Sequence, residues 1–315
     1  MVIDKKECIR LLKSHDEFIV LSHEHPDGDT LGCAFALCEI LKVMGKKRAF
    51  SCCDEIPKDF YYLTEEFCPD EVSKPFIIAV DVADEKLLGG LQEKYAGRID
   101  LCIDHHLSNT YYAKNVLVED RAAACEIIYE LAAELGIEPN KYIRESLYTG
   151  ISTDTGCFRY QNTTPTTFRI VADLMEKGVD SRKINKLMFE TKTKSSLELE
   201  LLARKTLEYH FDGRCALITV TQQMYAQSGS GEHECYTITA LPRQIEGVLV
   251  GAVLKQQKDG TFSVSVRTEG EIDASAICKQ MGGGGHKGAA GAGFKCSYDE
   301  GKARLLEIIK TALDG

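Results

Sequence analysis

Phe18–Ser22, FIVLS, runs straight into His23-Glu24-His25-Pro26-Asp27-Gly28-Asp29, and the chain continues as Leu31–Gly45, LGCAFALCEILKVMG. The first piece is a short apolar run of the kind a buried strand requires. The last repeats apolar residues at helical spacing and stops at Gly45, a residue type that closes helices readily. Strand, acidic loop and helix together make half of a βαβ unit, and the pattern recurs. RAFSC (Arg48–Cys52), FIIAVDV (Phe76–Val82) and IDLCIDH (Ile99–His105) predict further buried strands. AACEIIYELAAELG (Ala123–Gly136) and NKYIRESLYTGI (Asn140–Ile151) predict helices. Alternation of this kind predicts an α/β fold, a mainly parallel sheet with helices over both faces.

Beyond Asp154 the texture turns helical: TTFRIVADLMEKG (Thr166–Gly178), SRKINKLMFE (Ser181–Glu190) and a longer connecting helix, SSLELELLARKTLEYH (Ser195–His210). From Cys215 it changes again. CALITVT, GVLVGAVLKQQ and TFSVSVRT read as strands, with Asp259-Gly260 as a hairpin turn between the last two. A helix near Ala274–Gln280, a glycine-rich loop and a last helix (Asp299–Leu313) complete the chain. The pattern predicts a larger α/β domain over 1–190, a helical linker over 191–211 and a smaller α/β domain over 212–315.

Thirty-eight Lys and Arg stand against 48 Asp and Glu, a net charge of −10. Such a chain lacks the basic field that long nucleic acids or anionic membranes select. No apolar run approaches the ~20 residues of a membrane span, and Met1–Arg10 has no signal-peptide core, so a cytoplasmic protein is expected. The 13 cysteines are odd in number and include no C-x-x-C pair, which speaks against a disulfide framework or zinc cluster. Cys38, Cys102 and Cys125 sit inside apolar runs as small buried hydrophobes.

The functional signal lies where acids and imidazoles fall. FIVLS runs into His23, Asp27 and Asp29; FIIAV into Asp81; IDLCI into Asp104-His105-His106. Carboxyl ends of parallel strands lie along one edge, the usual ligand crevice. A fourth carboxylate, Asp154, follows a helix and precedes Gly156. Crowded carboxylates repel one another unless cations intervene. Asp27, Asp29, Asp81 and Asp154 would balance two divalent ions, the pair that activates water and stabilises an in-line displacement at phosphorus. Oxygen and imidazole donors favour Mn²⁺, with Mg²⁺ or Co²⁺ as alternatives. Taken alone, D-x-D after a strand is as readily a helix N-cap, and Asp29 could share that role.

The combination resembles the four motifs of the DHH phosphoesterases, of the RecJ-like superfamily: His23…Pro26-Asp27-Gly28-Asp29, Asp81, Asp104-His105-His106 and Asp154. Arg267-Thr268 and Met281-Gly-Gly-Gly-Gly-His286 resemble the DHH-associated C-terminal domain, so the likeness spans nearly the whole chain. It is greatest to the small two-domain branch of nanoRNases and pAp phosphatases, typically Mn²⁺-dependent. The resemblance implies that His23, Asp27 and Asp81 hold one metal, and Asp29, Asp81, His105 and Asp154 a second, with Asp81 bridging. His106 would face the scissile phosphate, and Asp104 would orient an imidazole. Arg267 with Gly283, Gly284, Gly285 and His286 would bind the nucleotide. A glycine run can bring backbone N–H groups close to an anion, and Arg binds phosphate in bidentate fashion. Departures from the family pattern are His25 for Asn, an extra imidazole for the pocket, Cys33 and Cys125 for Ser and Thr, and Thr268 for Ser; none removes a metal ligand.

The implied activity is hydrolysis of short oligoribonucleotides, of linear dinucleotides such as pApA, or of the 3′-phosphate of pAp, by a two-metal-activated hydroxide. Alternatives are a cyclic-dinucleotide phosphodiesterase and, against the GGGGH loop, an inorganic pyrophosphatase. A non-catalytic nucleotide sensor would require lost ligands, and all are present. Expected partners are these short substrates, with neither long duplexes nor a membrane; a homodimer stays open.

Overall fold

In the computed structural model the apolar runs of the first half pair as five parallel strands. They are β1 (Glu17–Leu21), β2 (Lys47–Ser51), β3 (Phe76–Val80), β4 (Leu101–Asp104) and β5 (Asn115–Val118), in the order β2-β1-β3-β4-β5. The structure describes residues 1–314, apart from the side chains of His233, Tyr236 and His286. Alternate strand residues face opposite sides. Phe18, Val20, Ile78, Val80, Leu101 and Ile103 share one core with α1 (Lys5–Ser14), α2 (Gly28–Val43) and, further along the chain, α4 (Ala124–Glu134), α5 (Lys141–Asp154), α6 (Pro165–Glu176) and α7 (Ser181–Asn185). Ile19, Leu21, Ile77, Ala79 and Cys102 face the other side. That side is covered by Leu88 and Tyr95, from a 3₁₀ segment (Glu85–Leu91) running into the short α3 (Gln92–Tyr95). Helices on both faces were expected; the second cover is shorter because Gly89, at φ 54°, interrupts it. Strands buried on both sides read as continuous apolar runs, which is why they are visible in the sequence.

Glu17 fixes the start of β1. Its Oε2 accepts the N–H groups of Ser73 and Lys74 at 2.8 and 3.1 Å. These hold its carboxyl at about 2, below the ordinary 4.5. A depressed acid stabilises the fold above the unfolded value and loses that contribution as pH falls through the folded one. The stability difference between wild type and Glu17→Gln is therefore expected to be full above pH 4.5 and to vanish towards pH 2. Urea titrations at several pH values read this directly; a pH-independent difference would refute it.

The chain divides into two units, Met1–Thr191 and Lys192–Gly315. The second carries a six-stranded sheet of order β10-β11-β9-β8-β7-β6. Its strands are β6 (Glu208–His210), β7 (Cys215–Val220), β8 (Val250–Gln256), β9 (Phe262–Thr268), β10 (Gly284–His286) and β11 (Ala289–Phe294). Its helices are α8 (Lys194–Arg204), α9 (Gln222–Ser228), α10 (Ala274–Lys279) and α11 (Tyr298–Asp314). β8 and β9 form the expected hairpin, with Gly260 at φ 84° in the turn. α8, expected between the domains, packs Leu199 and Ala203 against Ile218, Val220 and Val253 of this sheet. No helix among the described residues is long and apolar enough to cross a membrane.

Candidate metal centre and nucleotide-binding face

The carboxyl edge of the parallel sheet delivers the acidic and imidazole groups. His23 follows β1 by two residues, Asp81 directly follows β3, and Asp104 ends β4 with His105 and His106 behind it. Asp27 caps α2, its Oδ1 accepting the N–H groups of Asp29 and Thr30 at 3.0 and 3.1 Å. Asp29 does not cap its own helix. Its two oxygens accept the N–H groups of Ala124 (2.6 Å) and Cys125 (3.0 Å) at the start of α4, whose N-cap, Ala123, offers no side-chain acceptor. One carboxylate thus ties α2 to α4 and satisfies orphan donors. Asp154 closes α5, which lies against α2 through glycine contacts: a Cβ on Gly28 would stand 2.2 Å from Thr153 Oγ1. Asp81 has φ 56°, in the left-handed region that Asp tolerates better than most side chains.

Together these segments form linked donor groups. His23, Asp27 and Asp81 present ligand atoms within 4.8 Å of one another, as do Asp29, His105 and Asp154, and as do Asp81, His105 and His106. His105 Nε2 lies 3.4 Å from Asp81 Oδ1, 3.6 Å from Asp154 Oδ2 and 3.8 Å from Asp29 Oδ2. His23 Nε2 lies 3.7 Å from Asp27 and 3.8 Å from Asp81. Both rings are fixed from behind, His23 Nδ1 against Glu24 O at 2.7 Å and His105 Nδ1 against Arg121 O at 3.0 Å. That leaves each Nε2 turned to the carboxylates, the arrangement ligand histidines adopt. Burial and the Asp81 charge push Asp29 up to about 6, and burial with the Asp29 and Asp81 charges raises Asp154 well above the ordinary carboxylate range. Burial opposes charge on His23 and His105, yet Asp27 and Asp81 respectively carry them to about 10 and about 11.

Asp104 and His106 play a different part. Asp104 is fully buried, and its Oδ1 accepts His105 N–H at 2.8 Å and His106 Nδ1 at 2.7 Å, while Asn109 Nδ2 donates to Oδ2 at 2.6 Å. With its oxygens so engaged, Asp104 orients the His106 ring through Nδ1. His25 lies outside the cluster, its side chain 87% exposed and its Nδ1 2.9 Å from Asp54. The reading of His25 as an extra pocket imidazole is corrected by this pairing. Arg121 O and the Ala124 and Cys125 N–H groups leave no mark in the sequence, since backbone partners carry no residue signal, whereas Asn109 acts through its side chain and stands in the sequence beside the Asp104-His105-His106 triplet.

The donor set fits divalent cations. Carboxylate and imidazole donors converge, as hard or borderline ions require; Cys33 and Cys125 also lie within 4.8 Å of Asp29, and burial holds both as thiols. Asp81 Oδ1 is buried and makes no hydrogen bond among the described residues. Asp29 and Asp154 are held towards their protonated forms first by burial and then by neighbouring carboxylate charge, that of Asp81 on both, a strain that positive charge relieves.

Comparison with known proteins agrees with this architecture. Residues 17–151 match the DHH family, N-terminal domain, and residues 224–314 match the DHHA1 domain. The bifunctional oligoribonuclease and PAP phosphatase NrnA of Thermus thermophilus is 31% identical over 305 residues, covering 93% of this chain and 89% of that protein. The chain belongs to the DHH family. Among solved structures, an exopolyphosphatase-related protein from Bacteroides fragilis superposes with a TM-score of 0.86 at 20% identity, over 98% of this chain and 95% of that one. RecJ of Thermus thermophilus in complex with Mn²⁺ shares the fold at a TM-score of 0.59 and 15% identity, over 99% of this chain and 55% of RecJ.

In the DHHA1 unit, β9 alternates: Phe262, Val264, Val266 and Thr268 are buried, while Ser263, Ser265 and Arg267 occupy the other face. Gly251 stands opposite Arg267 on β8, and Lys255 opposite Ser263. Burial lowers the Lys255 ammonium, and the Arg267 charge adds to this. The glycine run, expected as an open loop, pairs in part as β10 against β11. A Cβ on Gly283 would meet Gly291 O at 2.0 Å, and one on Gly285 would meet Ala289 O at 2.7 Å, so these two glycines serve strand approach. Gly284 alone of the three faces open space. The His286 side chain lies outside the described residues.

Proposed function

We propose that this DHH-family hydrolase cleaves short oligoribonucleotides and linear dinucleotides such as pApA, and removes the 3′-phosphate of pAp. The observation that carries the reading is the pair of donor groups meeting around Asp81, in a chain whose relative is named for both activities. His23, Asp27 and Asp81 would hold one divalent ion, and Asp29, Asp81, His105 and Asp154 the other. Mn²⁺ is the proposed metal, with Mg²⁺ or Co²⁺ as substitutes. When bound, the pair supplies a water of lowered pKa and charge to stabilise the displaced oxygen. His106, held at Nδ1 by Asp104, would face the scissile phosphate. Arg267, with the Gly283–Gly285 backbone and His286, would grip the nucleotide.

The test is a substrate panel with Mn²⁺: pAp, pApA, RNA of two to five nucleotides, cyclic di-AMP and pyrophosphate, each repeated with EDTA and with His105→Ala. Turnover of the short RNAs and pAp that disappears in both controls is the expected result. Pyrophosphate or cyclic di-AMP as the preferred substrate would replace this reading. Arg267→Ala is expected to raise KM for the preferred nucleotide about tenfold, roughly 1.4 kcal/mol, with kcat little changed. An unchanged KM would remove Arg267 from the grip.

A further inference from the structure

The opposite edge of the parallel sheet, where β1, β3, β4 and β5 begin, holds a cavity of about 540 Å³. Lys74, Lys94, Arg98 and Lys114 line it against a single carboxylate, Asp100. Asp100 is already engaged, its Oδ1 with Lys114 Nζ at 2.7 Å and its Oδ2 with the Ile77 N–H at 2.9 Å. Glu17, at the start of β1, is committed to the N–H groups of Ser73 and Lys74. Each acid already faces a lysine outside the remaining three cations, Asp100 with Lys114 and Glu17 with Lys47 Nζ at 3.4 Å. The Lys94 ammonium sits 4.9 Å from the Tyr95 ring centroid, and Arg98 Nη1 donates to the Lys94 carbonyl at 3.2 Å. Among the described residues, no carboxylate pairs with Lys74, Lys94 or Arg98.

Three uncompensated cations around one concavity repel each other, and in a chain of net charge −10 such a grouping is not a bulk property of the surface. An anion relieves that repulsion, and several phosphates in a row match several cations. The walls are not all charged: Ile19, Ile77 and Tyr95 are buried residues that line the same cavity. Its volume falls inside the range of small-molecule sites, about 300–1,000 Å³. We propose that this cavity binds a nucleoside di- or triphosphate, its phosphates on Lys74, Lys94 and Arg98 and its base against the apolar wall. The site is separate from the metal centre, at the far end of the same strands, and binding there needs no turnover.

Calorimetric titration of ATP and of inorganic pyrophosphate into the full-length chain tests this. EDTA keeps the metal centre short of cations, so its carboxylates repel the probes. An Arg267→Ala background removes the competing contact in the DHHA1 unit. In that background ATP is expected to bind, more tightly than pyrophosphate. Adding Lys94→Glu and Arg98→Glu should weaken it at least about tenfold. Lys74→Glu alone should act in the same direction, and an unchanged melting midpoint of each exposed charge reversal checks the fold. Absence of ATP binding in the Arg267→Ala background, or equal affinity with and without the charge reversals, overturns the site. Pyrophosphate binding as tightly as ATP overturns the nucleoside assignment.

Discussion

Asp81→Asn is expected to lower kcat/KM by about three orders of magnitude, roughly 4 kcal/mol of transition-state stabilisation, while flattening the metal-free protein's loss of stability between the ordinary and the raised Asp29 values. Both effects follow from one position. Asp81 belongs to the donor group of His23 and Asp27 and also to that of His105 and His106, so its loss opens both sides of the cluster at once. The same charge is among the causes that raise Asp29 and Asp154. An acid raised from 3.8 to about 6, as Asp29 is, costs the metal-free fold nothing below the unfolded value. The penalty grows as pH rises between those values and is complete above the upper one. Asparagine removes the repulsion, so the variant in EDTA should lose less stability across that window than wild type does. Saturating Mn²⁺ should stabilise wild type more than the variant. A ligand at a hundred times its Kd stabilises by about 2.7 kcal/mol, and the variant should forfeit most of that gain. Thermal melts with EDTA and with Mn²⁺, beside an assay on pApA, separate the two effects. More than a tenth of wild-type turnover in the variant would refute a bridging role for Asp81.

What was legible in the sequence, and what was not, divides along a physical line. β1, β3 and β4 are buried on both faces and announce themselves as apolar runs; the polar groups that end them stand out by contrast. The helix was expected over Asn140–Ile151 with Asp154 just beyond it, and α5 runs three residues further and ends on that carboxylate. By contrast β10 and β11 carry glycine and alanine, GGH and AAGAGF, with almost no side chain to mark a face, and they were read as loop. α1 is short, and β5 contributes only four residues at a sheet edge, so neither leaves a long periodic signal. The supports of the metal centre were hidden for another reason. Glu24 O, Arg121 O and the N–H groups of α4 act through the backbone, which every residue shares. The basic cavity was hidden because its cations are scattered over residues 74–114 and gather only when strand starts align.

Gly150→Ala should damage stability and metal binding together, although the residue is remote from any substrate contact proposed here. In an isolated helix the change would help by about 1 kcal/mol, because alanine is the better helix former. Here a Cβ would stand 2.2 Å from Cys125 Sγ and 2.6 Å from Asp29 Oδ1. Neither neighbour can move freely. Cys125 is wholly buried, with its Sγ 3.4 Å from Cys33 Sγ, and the Asp29 oxygens are held by the Ala124 and Cys125 N–H groups. Overpacking of this kind costs about 1–3 kcal/mol. Displacing Asp29 should in addition weaken metal affinity roughly 10- to 100-fold, as disturbed support of a ligand does. A second substitution separates the two costs. Cys125→Ala removes the sulfur but leaves the Asp29 oxygen where it is, so the Gly150→Ala/Cys125→Ala pair should regain part of the lost stability without regaining Mn²⁺ affinity. Recovery of both would mean that Asp29 is disturbed only through the thiol. Full Mn²⁺ affinity in Gly150→Ala alone would mean that the close approach of α5 to α2 does not position this carboxylate at all.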